Sequence, residues 1–86
     1  MPTVRIPSLL QSLTAGVAEV EATGATLLAV IDDVDRQFPG IRDRVIEGQA
    51  IRQDVMIFID GDEASDLDAP VPSASEVHLL PAIAGG

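Results

Sequence analysis

The chain has no cysteine and no lysine. Without cysteine there can be no disulfide, no thiolate nucleophile and no thiolate-bound metal. Without lysine there is no Schiff-base chemistry. Cations are also scarce. Five arginines stand against 14 acidic residues, for a net charge of −9. So negative a surface repels a phosphate backbone, and no nucleic-acid partner is expected. It favours basic protein surfaces and speeds encounters with them. There is no apolar run of membrane-spanning length, and the N-terminus lacks the basic-then-apolar order of a signal peptide. The expectation is a soluble cytoplasmic protein with no membrane partner.

The chain does have enough apolar residues for a core. They are 47% of its 86 residues, too many for a disordered chain even at this charge. One domain of modest core is expected over residues 1–86. Thr3 to Leu10 reads as a first strand, with Val4 and Ile6 alternating against Thr3 and Arg5, and with Pro7 bending it. A turn at Thr14-Ala15-Gly16 leads to a second strand, Val17 to Ala22. Ala18 and Val20 lie on one face of it, and Glu19 and Glu21 on the other. Thr26 suits a helix N-cap. Leu27, Val30, Ile31, Val34 and Phe38 follow at helical spacing, with Asp32, Asp33 and Asp35 on the wet side. Pro39-Gly40 stops the helix, with Arg36 near its negative end.

Ile41 to Ala50 is less regular, with a short helical turn near Arg42–Ile46. Val55 to Ile59 is the strongest strand, apolar on both phases, and Asp60-Gly61 ends it as a turn. Asp62 to Ser75 reads as loop, with a short edge strand near Leu67. Glu76 to Leu80 is the last strand, ended by Pro81, which has no ladder donor. The order describes an α+β domain with one main helix across a mixed sheet of four to five strands. That is the β-grasp arrangement, with the first and last strands parallel at its centre.

Few residues here suit chemistry. His78 is the only histidine, so any Ser-His-acid triad must use it. It sits between Val77 and Leu79 with no partner recognisable in sequence, and it reads as a surface residue on a partner-facing sheet. No metal site through Cys and His is possible by count. The acidic stretch from Asp60 invites a calcium reading that fails in detail. With Asp60 first, the fifth position is Ala64 and the sixth, where glycine is needed, is Ser65. A solvated loop is the better reading. No phosphate-binding glycine motif is present, and the chain is not expected to be an enzyme.

Two features point to partners. If the helix covers Val55, Ile57, Ile59, Val77 and Leu79, then Met56, Phe58, His78 and Leu80 face away, as a candidate docking patch. Otherwise the middle loop folds over them. The second feature is the ending Pro81-Ala82-Ile83-Ala84-Gly85-Gly86. It has little to pack and is expected to be a flexible tail over 81–86. A Gly-Gly carboxylate is sterically unhindered and can thread a narrow channel into a partner's active site.

The ending Leu79-Leu80-Pro81-Ala82-Ile83-Ala84-Gly85-Gly86, after Ser75-Glu76-Val77, resembles the terminus of the MoaD/ThiS family of ubiquitin-like sulfur carriers. Gly24-Ala25-Thr26-Leu27 opening a helix, and Val55 to Asp60 before Gly61, fit the same pattern. The resemblance implies that an ATP-dependent E1-like enzyme adenylates Gly86 and that a sulfur donor converts it to a thiocarboxylate. ATP would serve that enzyme, with no cofactor bound by the carrier. The tail, Pro81, Ala82, Ile83, Ala84 and Gly85, would then insert into an acceptor enzyme, with the patch docking both partners. The length and ending look most like cysteine-synthesis carriers, whose acceptor is cysteine synthase-like. The molybdopterin type, with the synthase large subunit as acceptor, comes second, and thiamine-type carriers fit less well. The alternative is a ubiquitin-like modifier joined through Gly86 to target lysines. Having no lysine, this protein offers no side-chain site for chains of itself, which favours the carrier.

Overall fold

The computed structural model describes residues 1–81. Its centre is β7, Glu76–Pro81, which pairs parallel with β1, Thr3–Arg5, and antiparallel with β5, Val55–Ile59. β2, Glu19–Glu21, lies outside β1, and β6, Asp62–Ala64, lies outside β5. The sheet order is therefore β2-β1-β7-β5-β6, with the parallel pair expected at its centre. The helix α1, Leu27–Gln37, packs its stripe of Leu27, Val30, Ile31 and Val34 against the inner face of that sheet. From that face come Val4, Val20, Val55, Ile57, Ile59, Val77 and Leu79, all buried. Each such side chain contributes about 1.5–3 kcal/mol on leaving water.

The start of α1 shows how the middle of the chain is held. A helix opens with amides that have no partner inside it. Here Leu27 N–H donates to Ala69 C=O and Leu28 N–H to Leu67 C=O. Ala29 N–H donates to Thr26 Oγ1, the expected cap, at 3.3 Å. The long loop after β6 thus caps α1, and Val71 N–H returns to Ala25 C=O. This buries Leu67 and Val71.

Several expectations are corrected. The first strand ends at Arg5, because beyond Pro7 the segment Ser8–Leu13 coils into a 3₁₀ helix with Leu10 buried. The second strand covers only Glu19–Glu21, and Ala18 is exposed. The edge strand near Leu67 is instead β6, immediately after the two-residue Asp60-Gly61 turn, while Leu67 is spent on the helix cap. Ile41–Val45 forms the short helix α2. After it comes a small hairpin that sequence did not foretell, β3 at Ile46–Glu47 and β4 at Ala50–Ile51. The three helix aspartates are not simply wet. Asp33 is buried and accepts from Thr23 N–H and Gln37 Nε2, and it pairs with Arg36 at 3.1 Å. Asp35 accepts from Gly40 and Arg42 N–H, each at 3.0 Å, and so caps α2.

Pro81 was expected to lie past the last strand, in a tail over 81–86. It is the final residue of β7, opposite Val55. The register explains why proline is tolerated. Asp60 N–H donates to Glu76 C=O, so the hydrogen-bonded pairs of β5 and β7 fall at alternate positions from there. Val55 and Pro81 form a pair that calls for no donor. On the other side of β7, β1 ends opposite His78. The remaining tail residues, Ala82 to Gly86, lie outside the described residues.

Candidate functional site

The strict alternation of β5 and β7 places their two apolar phases on opposite faces. Inner residues meet α1. On the outer face Met56 stands opposite Leu80, and Phe58 opposite His78. Met56 and Leu80 are 39% and 46% exposed, while Phe58 and His78 are half-buried. Phe58, His78 and Leu80 line a shallow groove together with Gly61. All four sequence-predicted patch residues therefore form one contiguous surface. The middle loop does not close over it, because its carbonyls are committed to the start of α1.

The rim of this surface is acidic. Glu63 lies beside Phe58, and Glu76 Oε1 sits 3.1 Å from His78 Nε2. Arg5 is held in an ion pair with Glu19 and reaches Glu76 at 3.8 Å. An apolar centre with a carboxylate rim suits a partner carrying an apolar spot ringed by basic side chains. Among the described residues, the His78 ring has only Glu76 as a polar side-chain partner and no nucleophile at hydrogen-bond distance. Among the described residues, no cluster of three or more His or carboxylate groups is arranged to hold a metal, and no helix is long and apolar enough to cross a membrane.

The strand that carries the patch is pinned at its start. Asp60 has φ of 52°, and its carboxylate accepts from Ser75 Oγ at 2.6 Å and from Glu76 N–H at 3.0 Å. The Ser75 hydrogen bond, then that of Glu76, holds the Asp60 carboxyl below the usual carboxylate range. From sequence this residue reads as a turn former and as part of a solvated acidic loop. Its distance from Ser75 in sequence hid the contact.

A second concavity lies on the inner side of the sheet, at the end of β7. Leu9, Leu10, Val55, Leu79 and Pro81 form its apolar wall. Asp43, Arg44, Arg52 and Asp54 form the polar one. Arg52 Nε bonds Asp54 Oδ1 at 3.1 Å, which raises its already high pKa. Among the described residues, Arg44 has no carboxylate at salt-bridge distance, unlike the other four arginines. No sequence pattern announces this cleft, because it joins four separate segments.

A five-stranded mixed sheet in this order, with one long helix packed on one face, is the ubiquitin-like β-grasp fold. The sequence profile of the ThiS family matches residues 4–86, and the chain belongs to that family. It is 32% identical over 90 residues to the sulfur carrier protein CysO of Mycobacterium tuberculosis, covering 98% of this chain and 97% of that one. The crystal structure of the mycobacterial protein superposes with a TM-score of 0.89 at 29% identity, over 96% of this chain and 100% of that one. A chain in the Amycolatopsis orientalis BexX/CysO complex matches at TM-score 0.95 and 34% identity, over the full length of both. The likeness to SAMP1 of Haloferax volcanii is one of fold alone, with a TM-score of 0.75 at 19% identity over 99% of this chain and 98% of that one.

Proposed function

We propose that this protein is a sulfur carrier, a cosubstrate and not a catalyst. The Gly86 carboxylate attacks the α-phosphorus of ATP on an E1-like enzyme, giving an acyl adenylate and pyrophosphate. A sulfur donor displaces AMP and leaves a thiocarboxylate. That sulfur passes to an acceptor enzyme, of which a cysteine synthase-like protein fits best. The observation that carries this reading is the likeness to the CysO sulfur carrier across 98% of the chain, with the family match reaching residue 86. The chemistry asks little of the carrier beyond an unhindered carboxylate, which Gly85-Gly86 supplies.

The outer face of β5 and β7 is the proposed docking surface for both enzymes. It is apolar at its centre, acidic at its rim, and lies on the strand from which the tail leaves. The A. orientalis relative is found in a complex with another protein, BexX, which supports docking as part of the role. Adding one alanine after Gly86 tests the reading. The extended protein should keep its thermal midpoint and lose ATP–pyrophosphate exchange with the cognate activating enzyme. Exchange at the wild-type rate would overturn it.

A further inference from the structure

β7 has a strand on both sides for only the first half of its length. Successive residues of such a strand turn their backbone groups to one neighbour and then to the other. Asp60 N–H donates to Glu76 C=O. The backbone groups of Glu76, His78 and Leu80 therefore face β5, and those of Val77, Leu79 and Pro81 face the β1 side. The parallel pairing of Arg5 with His78 joins Arg5 N–H to Val77 C=O and Leu79 N–H to Arg5 C=O. One step further, Leu79 C=O calls for the amide of residue 7. That residue is Pro7, which has no N–H to give. Ile6 cannot stand in, because its N–H donates to Ala18 C=O on the far side of β1. The chain then coils away into Ser8–Leu13.

The result is a step in the sheet at the end of β7. Among the described residues, no N–H or O–H donor reaches Leu79 C=O. An open strand edge is a template for another strand. This one offers acceptors only, since Leu79 N–H is spent on Arg5 and Pro81 has none. A second copy of the same edge brings no free donor, so the step suits a foreign segment that carries N–H groups. Its inner side is the cleft walled by Leu9, Leu10, Val55, Leu79 and Pro81, where Leu9 is 56% exposed. Main-chain bonds at an edge, with a pocket for alternate side chains, are how a sheet takes up an extended peptide. Its outer side is Leu80, which belongs to the apolar docking surface. A protein seated on that surface is one residue away from the open edge.

We infer that the activating enzyme adds an extended segment along this edge, with an N–H donated to Leu79 C=O and an apolar side chain set into the cleft. The inference rests on the carrier reading above and carries its docking surface around the end of β7. Leu-Leu pairs occur only at 9–10, 27–28 and 79–80, so protein made with leucine labelled at its carbonyl carbon and its nitrogen gives three carbonyl–amide correlation signals in NMR. One of them reports the Leu79 carbonyl through the Leu80 amide. Titration with the activating enzyme, without ATP, should move the Leu79 carbonyl carbon downfield, as for a carbonyl that gains a hydrogen bond. The Leu27 carbonyl, inside α1, should stay in place. Leu9→Ser should keep the thermal midpoint and weaken binding by about fivefold or more. A saturated complex with the Leu79 carbonyl unmoved, or Leu9→Ser bound as tightly as wild type, would overturn the proposal and leave the carrier reading intact. The same shift on raising the protein concentration alone would assign the edge to a second copy and overturn it. Wild type that neither binds nor supports ATP–pyrophosphate exchange, with an enzyme active on another carrier, would overturn both.

Discussion

At Gly24 a methyl group would stand 2.7 Å from the Val30 amide nitrogen and 2.8 Å from Ala29 Cβ, and φ is +153°. Neither neighbour is a flexible side-chain end, so the start of α1 must shift. Gly24→Ala is expected to cost about 2 kcal/mol or more, a fall of about 10 °C in the thermal midpoint. A midpoint within a degree or two of wild type would contradict this. Asp60 makes a second prediction at this scale. Its folded pKa lies below that of the unfolded chain, so its contacts stabilise fully above about pH 4 and are lost as pH falls through the folded value. Asp60→Asn should be less stable than wild type at neutral pH, and the two stabilities should converge in acid. A gap that stays constant down the acid limb would show that Asp60 titrates normally.

At the scale of elements, β7 does two jobs with adjacent leucines. Leu79 is 2% exposed and packs under α1, and Leu80 is 46% exposed on the outer face. Leu79→Ala should lose about 2–5 kcal/mol of stability. Leu80→Glu should lose under about 0.5 kcal/mol, yet weaken docking to the activating enzyme by about tenfold or more. Chemical denaturation and binding titrations of both variants check the contrast. Equal effects on binding would remove the outer face from the account. This two-sidedness was legible because a strand repeats every two residues and both phases of β5 and β7 are apolar. The stripe of α1 and its Thr26 cap were equally plain. What escaped has no period to read. β3 and β4 have two residues each, and the Leu9-Leu10-Leu13 spacing suits a bent strand as well as a 3₁₀ turn. Leu67 looked like a strand residue because its partner, the start of α1, lies 39 positions earlier in the chain (Leu28 to Leu67).

For the whole molecule, the sheet brings the first and last strands together, and β7 ends beside the exposed apolar pair Met56 and Leu80. The candidate patch could be read from sequence, as it depends only on alternation within two strands. The inner cleft and the Asp60 clasp could not, since each joins segments brought together only by folding. A net charge of −9 over the chain, with Glu63 and Glu76 at the rim of the patch, suits brief, guided encounters with basic partners. The loop caps α1, the clasp at Asp60 fixes the start of β7, and Pro81 ends that strand opposite Val55.

The most direct measurement is the intact mass of the purified protein after incubation with ATP, a sulfide source and the cognate activating enzyme. The carrier account requires the gain expected for exchange of one carboxylate oxygen for sulfur, localised to Gly86. An unchanged mass, with the enzyme shown to be active on another carrier, would contradict it.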